Sequence, residues 1–126
     1  MATEPQILNG VYKIKNVDNG LYLDVRGGGT TSGTAVQQWT YSTSYEKHQL
    51  FKITYLGTYG TSKLNYYSIR PLTNSSLGMS APYSGSGGNV TISEMATTDT
   101  WAIPYKQCWA IAEDGSYYTI RNGSES

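Results

Sequence analysis

Tyr12-Lys13-Ile14-Lys15 returns as Tyr67-Ser68-Ile69-Arg70 and again as Tyr118-Thr119-Ile120-Arg121. The first two copies close alike, in Gln49-Leu50-Phe51-Lys52-Ile53 and Gln107-Cys108-Trp109-Ala110-Ile111. Tyr12 to Tyr67 is 55 positions and Tyr67 to Tyr118 is 51. A repeat of this length is one supersecondary unit that cannot bury its own apolar face, so the copies must share a core. The copies can also be compared. Scaffold residues should recur, and residues that do chemistry should stand out as differences.

Each unit reads as short strands between turns. Gly10 to Ile14 alternates apolar and polar residues, the pattern of a half-buried strand. Asp18-Asn19-Gly20 is a turn signal, after which Leu21 to Val25 alternates again. Arg26 to Gly33 holds three consecutive glycines and is a loop. Ala35 to Trp39 is a third strand, Tyr41 to Lys47 a polar connection, and Gln49 to Tyr55 a fourth strand. The second unit repeats the plan with strands at 67–70, 77–80, 90–92 and 107–111, turns at 73–76 and 113–116, and a Gly/Ser loop at 84–89. No stretch carries a capped 3.6-residue period.

Composition agrees. The chain has 126 residues, enough for one domain with a modest core. It is rich in Tyr (12) and Gly (14) and only 14% charged, which favours strands and turns over helices. Nine basic and nine acidic residues cancel, leaving no electrostatic case for nucleic acid or an anionic membrane. No apolar run is long enough for a membrane-spanning helix. Cys108 is the single cysteine, so no intrachain disulfide forms; flanked by Gln107 and Trp109, it reads as a buried small hydrophobe. Met1-Ala2-Thr3-Glu4-Pro5 is not a signal peptide.

Four short strands per unit make the fold all-β, with a β-trefoil as the expected architecture. In that fold the first and fourth strands of each unit build a barrel and the middle pair forms a capping hairpin. We divide the chain into a leader (1–8) and one domain (9–126). The first repeat covers about 10–57, the second about 64–115, and a third starts at about 116–126. The third unit shows only its first strand, and roughly 30 to 40 more residues would complete it. Two readings stay open. The sequence is a fragment, or the gap is filled by self-association or another closure. Unfilled, it leaves strand edges that pair with other chains.

These motifs, in this order and spacing, resemble the ricin B-type (R-type, Gln-x-Trp) lectins. The resemblance rests on Gly10-Val11-Tyr12-Lys13-Ile14, Asn19-Gly20-Leu21-Tyr22-Leu23-Asp24-Val25, Val36-Gln37-Gln38-Trp39 and the repeated Gln-x-aromatic-x-Ile, and spans Gly10 to about Arg121. It implies that Gln49, Phe51, Gln107 and Trp109 are structural, with Phe51 replacing the motif's Trp. It also implies a non-catalytic domain that binds glycans or glycoproteins, most simply galactose or a related sugar. Such a domain is secreted or extracellular and can accompany a glycosidase or toxin.

By the same resemblance, a sugar-binding unit carries an Asp in its second strand, a Gln and an aromatic in its third, and a polar residue before the structural Gln. The first unit supplies Asp24, Gln37, Trp39 and His48, followed by Gln49. The chemistry suits a sugar. A carboxylate accepts charge-assisted bonds from vicinal hydroxyls. An indole face packs on the apolar C–H face of the ring. An amide and an imidazole read single hydroxyls. His48 stands where relatives often have Asn, which leaves the sugar preference open and adds a titratable group. At the matching positions the second unit has Ser80, Thr91, Ser93 and Lys106, and looks like a scaffold repeat whose site is lost.

Other chemistries lack support. His48 has no Cys or Ser partner at a recognisable spacing, Glu46 and Asp24 make no specific glycosidase pair, and no metal or cofactor motif is present. A rival reading is a protein-interaction module, such as a toxin's receptor-binding part or a protease-inhibitor-like trefoil. It would act through the 26–33 and 84–89 loops and an aromatic insertion holding Trp101 and Tyr105, which either packs over the barrel or forms a contact patch.

Overall fold

The computed structural model describes residues 7–58, 64–82, 89–95 and 103–123. Within them run β1 (Gly10–Tyr12), β2 (Tyr22–Val25), β3 (Thr34–Trp39), β4 (Phe51–Gly57), β5 (Tyr66–Pro71), β6 (Leu77–Ser80), β7 (Thr91–Glu94), β8 (Trp109–Asp114) and β9 (Tyr117–Asn122). The division of labour expected from the repeat holds. The first and fourth strands of each unit form one antiparallel sheet in the order β1-β4-β5-β8-β9. The middle strands form a second, in the order β2-β3-β7-β6. The fold is all-β and trefoil-like.

Register explains why the repeated motif is apolar at alternate positions. Tyr12 lies opposite Phe51, and Tyr67 opposite Trp109. Ile53 pairs with Ile69, and Ile111 with Ile120. Phe51, Ile53, Tyr67, Ile69, Trp109 and Ile111 are buried together with Val25, Leu77, Met79 and Ile92 from the hairpins. Each such side chain contributes about 1.5–3 kcal/mol on full burial. The buried Trp109 indole N–H donates to the Met79 carbonyl at 3.0 Å, which ties the second hairpin to the barrel. Phe51 has no such proton to satisfy. Cys108 is buried as expected, its thiol 3.4 Å from the Ile103 carbonyl.

Some boundaries differ from the sequence reading. The fourth strand starts at Phe51 because Thr43–Gln49 forms 3-10 turns. Gln107 likewise closes a 3-10 turn, Tyr105–Gln107, before β8 begins at Trp109. In both units the Gln side chain turns inward to the hairpin and the strand follows after it. The chain just ahead of β1 is anchored as well. The Ile7 amide donates to the Tyr67 hydroxyl at 2.8 Å, and burial pushes that phenol's pKa up. Tyr105 is exposed; Trp101 and residues 84–88 lie outside the described residues.

Candidate functional site

The β2–β3 hairpin pairs Tyr22 with Trp39, Leu23 with Gln38, Asp24 with Gln37 and Val25 with Val36. Successive side chains alternate in direction, so Tyr22, Asp24, Gln37 and Trp39 share one face. On the other face Val25 is in the core, and Leu23 and Val36 pack against it. The hairpin is amphipathic in the two-residue period its sequence shows.

Asp24 is the hub of the polar face. It is only 2% exposed, and both carboxylate oxygens accept amide protons. Oδ1 takes the Gln37 Nε2 proton at 3.1 Å, and Oδ2 that of Gln49 Nε2 at 3.0 Å. Gln49 Nε2 also donates to the Thr40 carbonyl at 3.0 Å. The fully buried Gln49 amide has a fixed sense. Exchanging its nitrogen and oxygen would set its carbonyl against both a carboxylate and a carbonyl. Its Oε1 accepts no bond from the described residues, a cost that the two bonds of the nitrogen offset. Gln37 spans outward, its Oε1 accepting from Arg26 Nε at 3.3 Å.

The remaining predicted residues border this hub. Trp39 is 51% exposed and offers an open ring two residues along the strand from Gln37. His48 sits on the other side of the hub in chain terms, against the turn that follows β2. Gly28 has φ +67°, and a Cβ there would lie 2.5 Å from His48 Nε2. Glycine is therefore required twice over, for its backbone angle and for the close imidazole. The Tyr45 ring stacks obliquely on His48, 5.3 Å between centroids. Asp24, Gln37 and Gln49 are thus joined by hydrogen bonds, Trp39 shares their face, and His48 props the glycine turn.

A second cluster holds the connection that carries His48 and Gln49. Lys13 Nζ lies 2.9 Å from Glu46, and the Tyr41 hydroxyl donates to Glu46 at 3.1 Å. The hydrogen bond to Glu46 raises the Lys13 pKa, and the bonds from Lys13 and Tyr41 lower that of Glu46. Tyr41 also contacts Tyr22, 5.5 Å between ring centroids.

The second hairpin repeats the scaffold without the chemistry. Ser80 pairs with Thr91 as Asp24 does with Gln37, and Gly78 with Ser93 where the first hairpin has Tyr22 and Trp39. Gln107 Nε2 donates to Ser80 Oγ and to the Glu94 carbonyl, both at 3.0 Å. These are the counterparts of the Gln49 bonds to Asp24 and Thr40. Lys106, in the His48 position, donates to the Pro82 carbonyl.

Sequence reasoning missed Tyr22 and Arg26. Tyr22 precedes Asp24 by two positions, so strand alternation alone put it on the same face. Arg26 carried no such signal, because its approach to Gln37 depends on how the glycine turn folds back. Among the described residues no group of three His, Cys, Asp or Glu side chains is placed to hold a metal ion. No helix among them is long and apolar enough to cross a membrane.

Residues 4–92, more than half of the chain, match the model of the ricin-type beta-trefoil lectin domain-like family. No curated protein matches the chain. The chain therefore belongs to the ricin-type β-trefoil lectin domain-like family, whose members are carbohydrate-binding modules and generally non-catalytic.

Proposed function

We propose that the chain binds galactose or a related sugar through one shallow site on the first hairpin, formed by Asp24, Gln37, Trp39, His48 and Gln49. The contrast between the hairpins carries this reading. Both keep the Gln bonds that hold the scaffold, yet only the first combines a carboxylate with an exposed indole. A carboxylate has room for about four hydrogen bonds, and Asp24 uses two, both from amides. Gln49 is locked from two sides, whereas Gln37 is half-buried and its other bond is the longer one to Arg26. A sugar hydroxyl reaches Oδ1 as the Gln37 amide swings outward, and that amide then meets a neighbouring hydroxyl. Trp39 supplies the flat surface for the C–H face of the ring. His48 lines the glycine-turn side, and Gln49 fixes the carboxylate.

A single shallow site of this kind gives weak binding, about −4 to −6 kcal/mol or high micromolar to millimolar. Multivalent display strengthens it. A glycan array followed by titration calorimetry on the wild type, Asp24→Ala and Trp39→Ala tests the assignment. Both variants should lose binding; unchanged affinity in both would remove the site from the first hairpin.

A further inference from the structure

The polar face of the first hairpin continues past β2. Residues 14–16 run beside that strand, with Lys15 bridged to Tyr22 and the Leu23 amide donating to the Ile14 carbonyl at 2.9 Å. Tyr22 in turn pairs with Trp39. Residues directly opposite one another in paired strands point to the same face. Lys15, Tyr22 and Trp39 therefore form a row across three segments, on the face that carries Asp24. The row spans two strand spacings, about 10 Å, which is room for two sugar rings side by side.

The second unit lacks this row. Gly78 and Ser93 stand where the first has Tyr22 and Trp39. Arg70, the counterpart of Lys15 in the repeat, gives its guanidinium to the Ser75 carbonyl at 2.9 Å. Lys15 is exposed, and no carboxylate of the described residues lies in ion-pair range of it. Its ammonium sits 5.9 Å from the centroid of the Tyr22 ring, the outer limit of a cation–π contact, so little holds it there. Lys13, by contrast, is neutralised by Glu46 at 2.9 Å. Tyr22 is better fixed. Its ring rests against Tyr41, whose hydroxyl is committed to Glu46. The Tyr22 hydroxyl takes no hydrogen bond among the described residues. The far end of the row thus offers a positioned phenol and an ammonium free to turn to a ligand.

We propose that the site extends along this row to a second sugar, and that this second sugar is acidic. The inference rests on the placement of the first sugar at Asp24 and Trp39 proposed above. A hexuronate linked to the sugar on Trp39 lies against Tyr22, bonds its hydroxyl and pairs its carboxylate with Lys15. Asp24 stands two residues along β2 and one strand across from Lys15, so the ammonium is the nearer charge. Titration calorimetry on the intact chain tests this with three probes: methyl β-galactoside, lactose, and the lactose analogue whose glucose is oxidised to glucuronate. Lactose should bind more tightly than the galactoside, and Tyr22→Leu, its folding checked by melting temperature, should remove that gain. The acid should bind about twofold to fivefold more tightly than lactose, the effect of one exposed charge pair, and added salt should shrink the preference. Lys15→Gln should bring lactose and its acid to parity and Lys15→Glu should invert their order, with the galactoside unchanged in both. Lys15 is exposed, so neither variant should disturb folding. A galactoside that binds while the acid shows no preference, or a preference that survives Lys15→Gln, overturns this proposal and leaves the first-sugar site standing. Binding of none of the three probes removes the first-sugar site and the extension with it.

Discussion

Replacing Asp24 by serine imitates within the first hairpin what the second already does. Ser80 serves as acceptor for Gln107 at 3.0 Å, so a serine at position 24 can keep the Gln49 bond in the same geometry. What is lost is the charge and the bond from Gln37. A hydrogen bond to a charged group contributes about 1.5–3 kcal/mol and a neutral one about 0.5–1.5. Removing a buried carboxylate returns part of that loss as relieved desolvation, and the half-buried Gln37 can turn to water. The net loss should be about 1–2 kcal/mol, or a fall in Tm of about 3–8 °C for a domain of this size. Asp24→Ala also takes away the acceptor for Gln49 and should cost about 1 kcal/mol more. Sugar affinity should fall by at least about tenfold in both variants, since hydroxyls lose a charge-assisted acceptor. Scanning calorimetry and sugar titration on the same samples give both quantities. A serine variant no more stable than the alanine one would refute the equivalence of the two Gln bonds. A serine variant that binds sugar as well as the wild type would refute Asp24 as the recognition group.

Trp39→Ala should abolish measurable sugar binding while moving Tm by no more than about 2 °C, because the ring is half exposed; a large loss of stability would show it to be packing instead. Gly28→Ala should destabilise by about 1–3 kcal/mol, since it forces a side chain into a positive φ and against the His48 imidazole, and urea unfolding measures this. Glu46 has a folded pKa below its ordinary 4.5, so its contribution is present above that value and is lost as pH falls through the lower one. Lys13 has a folded pKa above 10.5, so its contribution is present below that value and is lost as pH rises through the higher one. The clamp should thus hold between about pH 5 and 10, to a degree reduced by solvent and salt, and Glu46→Gln should flatten both flanks of a melting-temperature profile.

The fold was legible because its signal is alternation repeated in register. Tyr12, Ile14, Phe51 and Ile53 announce a barrel strand and its partner, and the second unit restates them as Tyr67, Ile69, Trp109 and Ile111. The 3-10 turns of 43–49 left no such trace. They are too short for a periodic apolar stripe and are held by contacts distant in sequence, Lys13 with Glu46 and Gly28 with His48. In the candidate site, the shared face of Asp24, Gln37 and Trp39 was readable from strand alternation. The depth of Asp24 was not. A carboxylate next to a turn reads as exposed until Gln49 is seen to cover it, 25 positions away. Arg26 escaped for the same reason, since a glycine turn has no sequence code for where it redirects the following side chains.

The Gln that ends each hairpin unit donates to whatever small acceptor the hairpin offers, a carboxylate in one and a hydroxyl in the other. On the proposed assignment of Asp24 and Trp39 to recognition, the second hairpin is a prepared blank that keeps the Gln bond of the first. Ser80→Asp and Ser93→Trp would write on it the two groups that distinguish the first. The Tyr22 counterpart is barred, because any side chain at Gly78 would meet the Met95 sulfur. One chain would then carry two sugar sites at a fixed separation and in fixed orientation, and the glycans it distinguishes would be selected by the spacing of their branches.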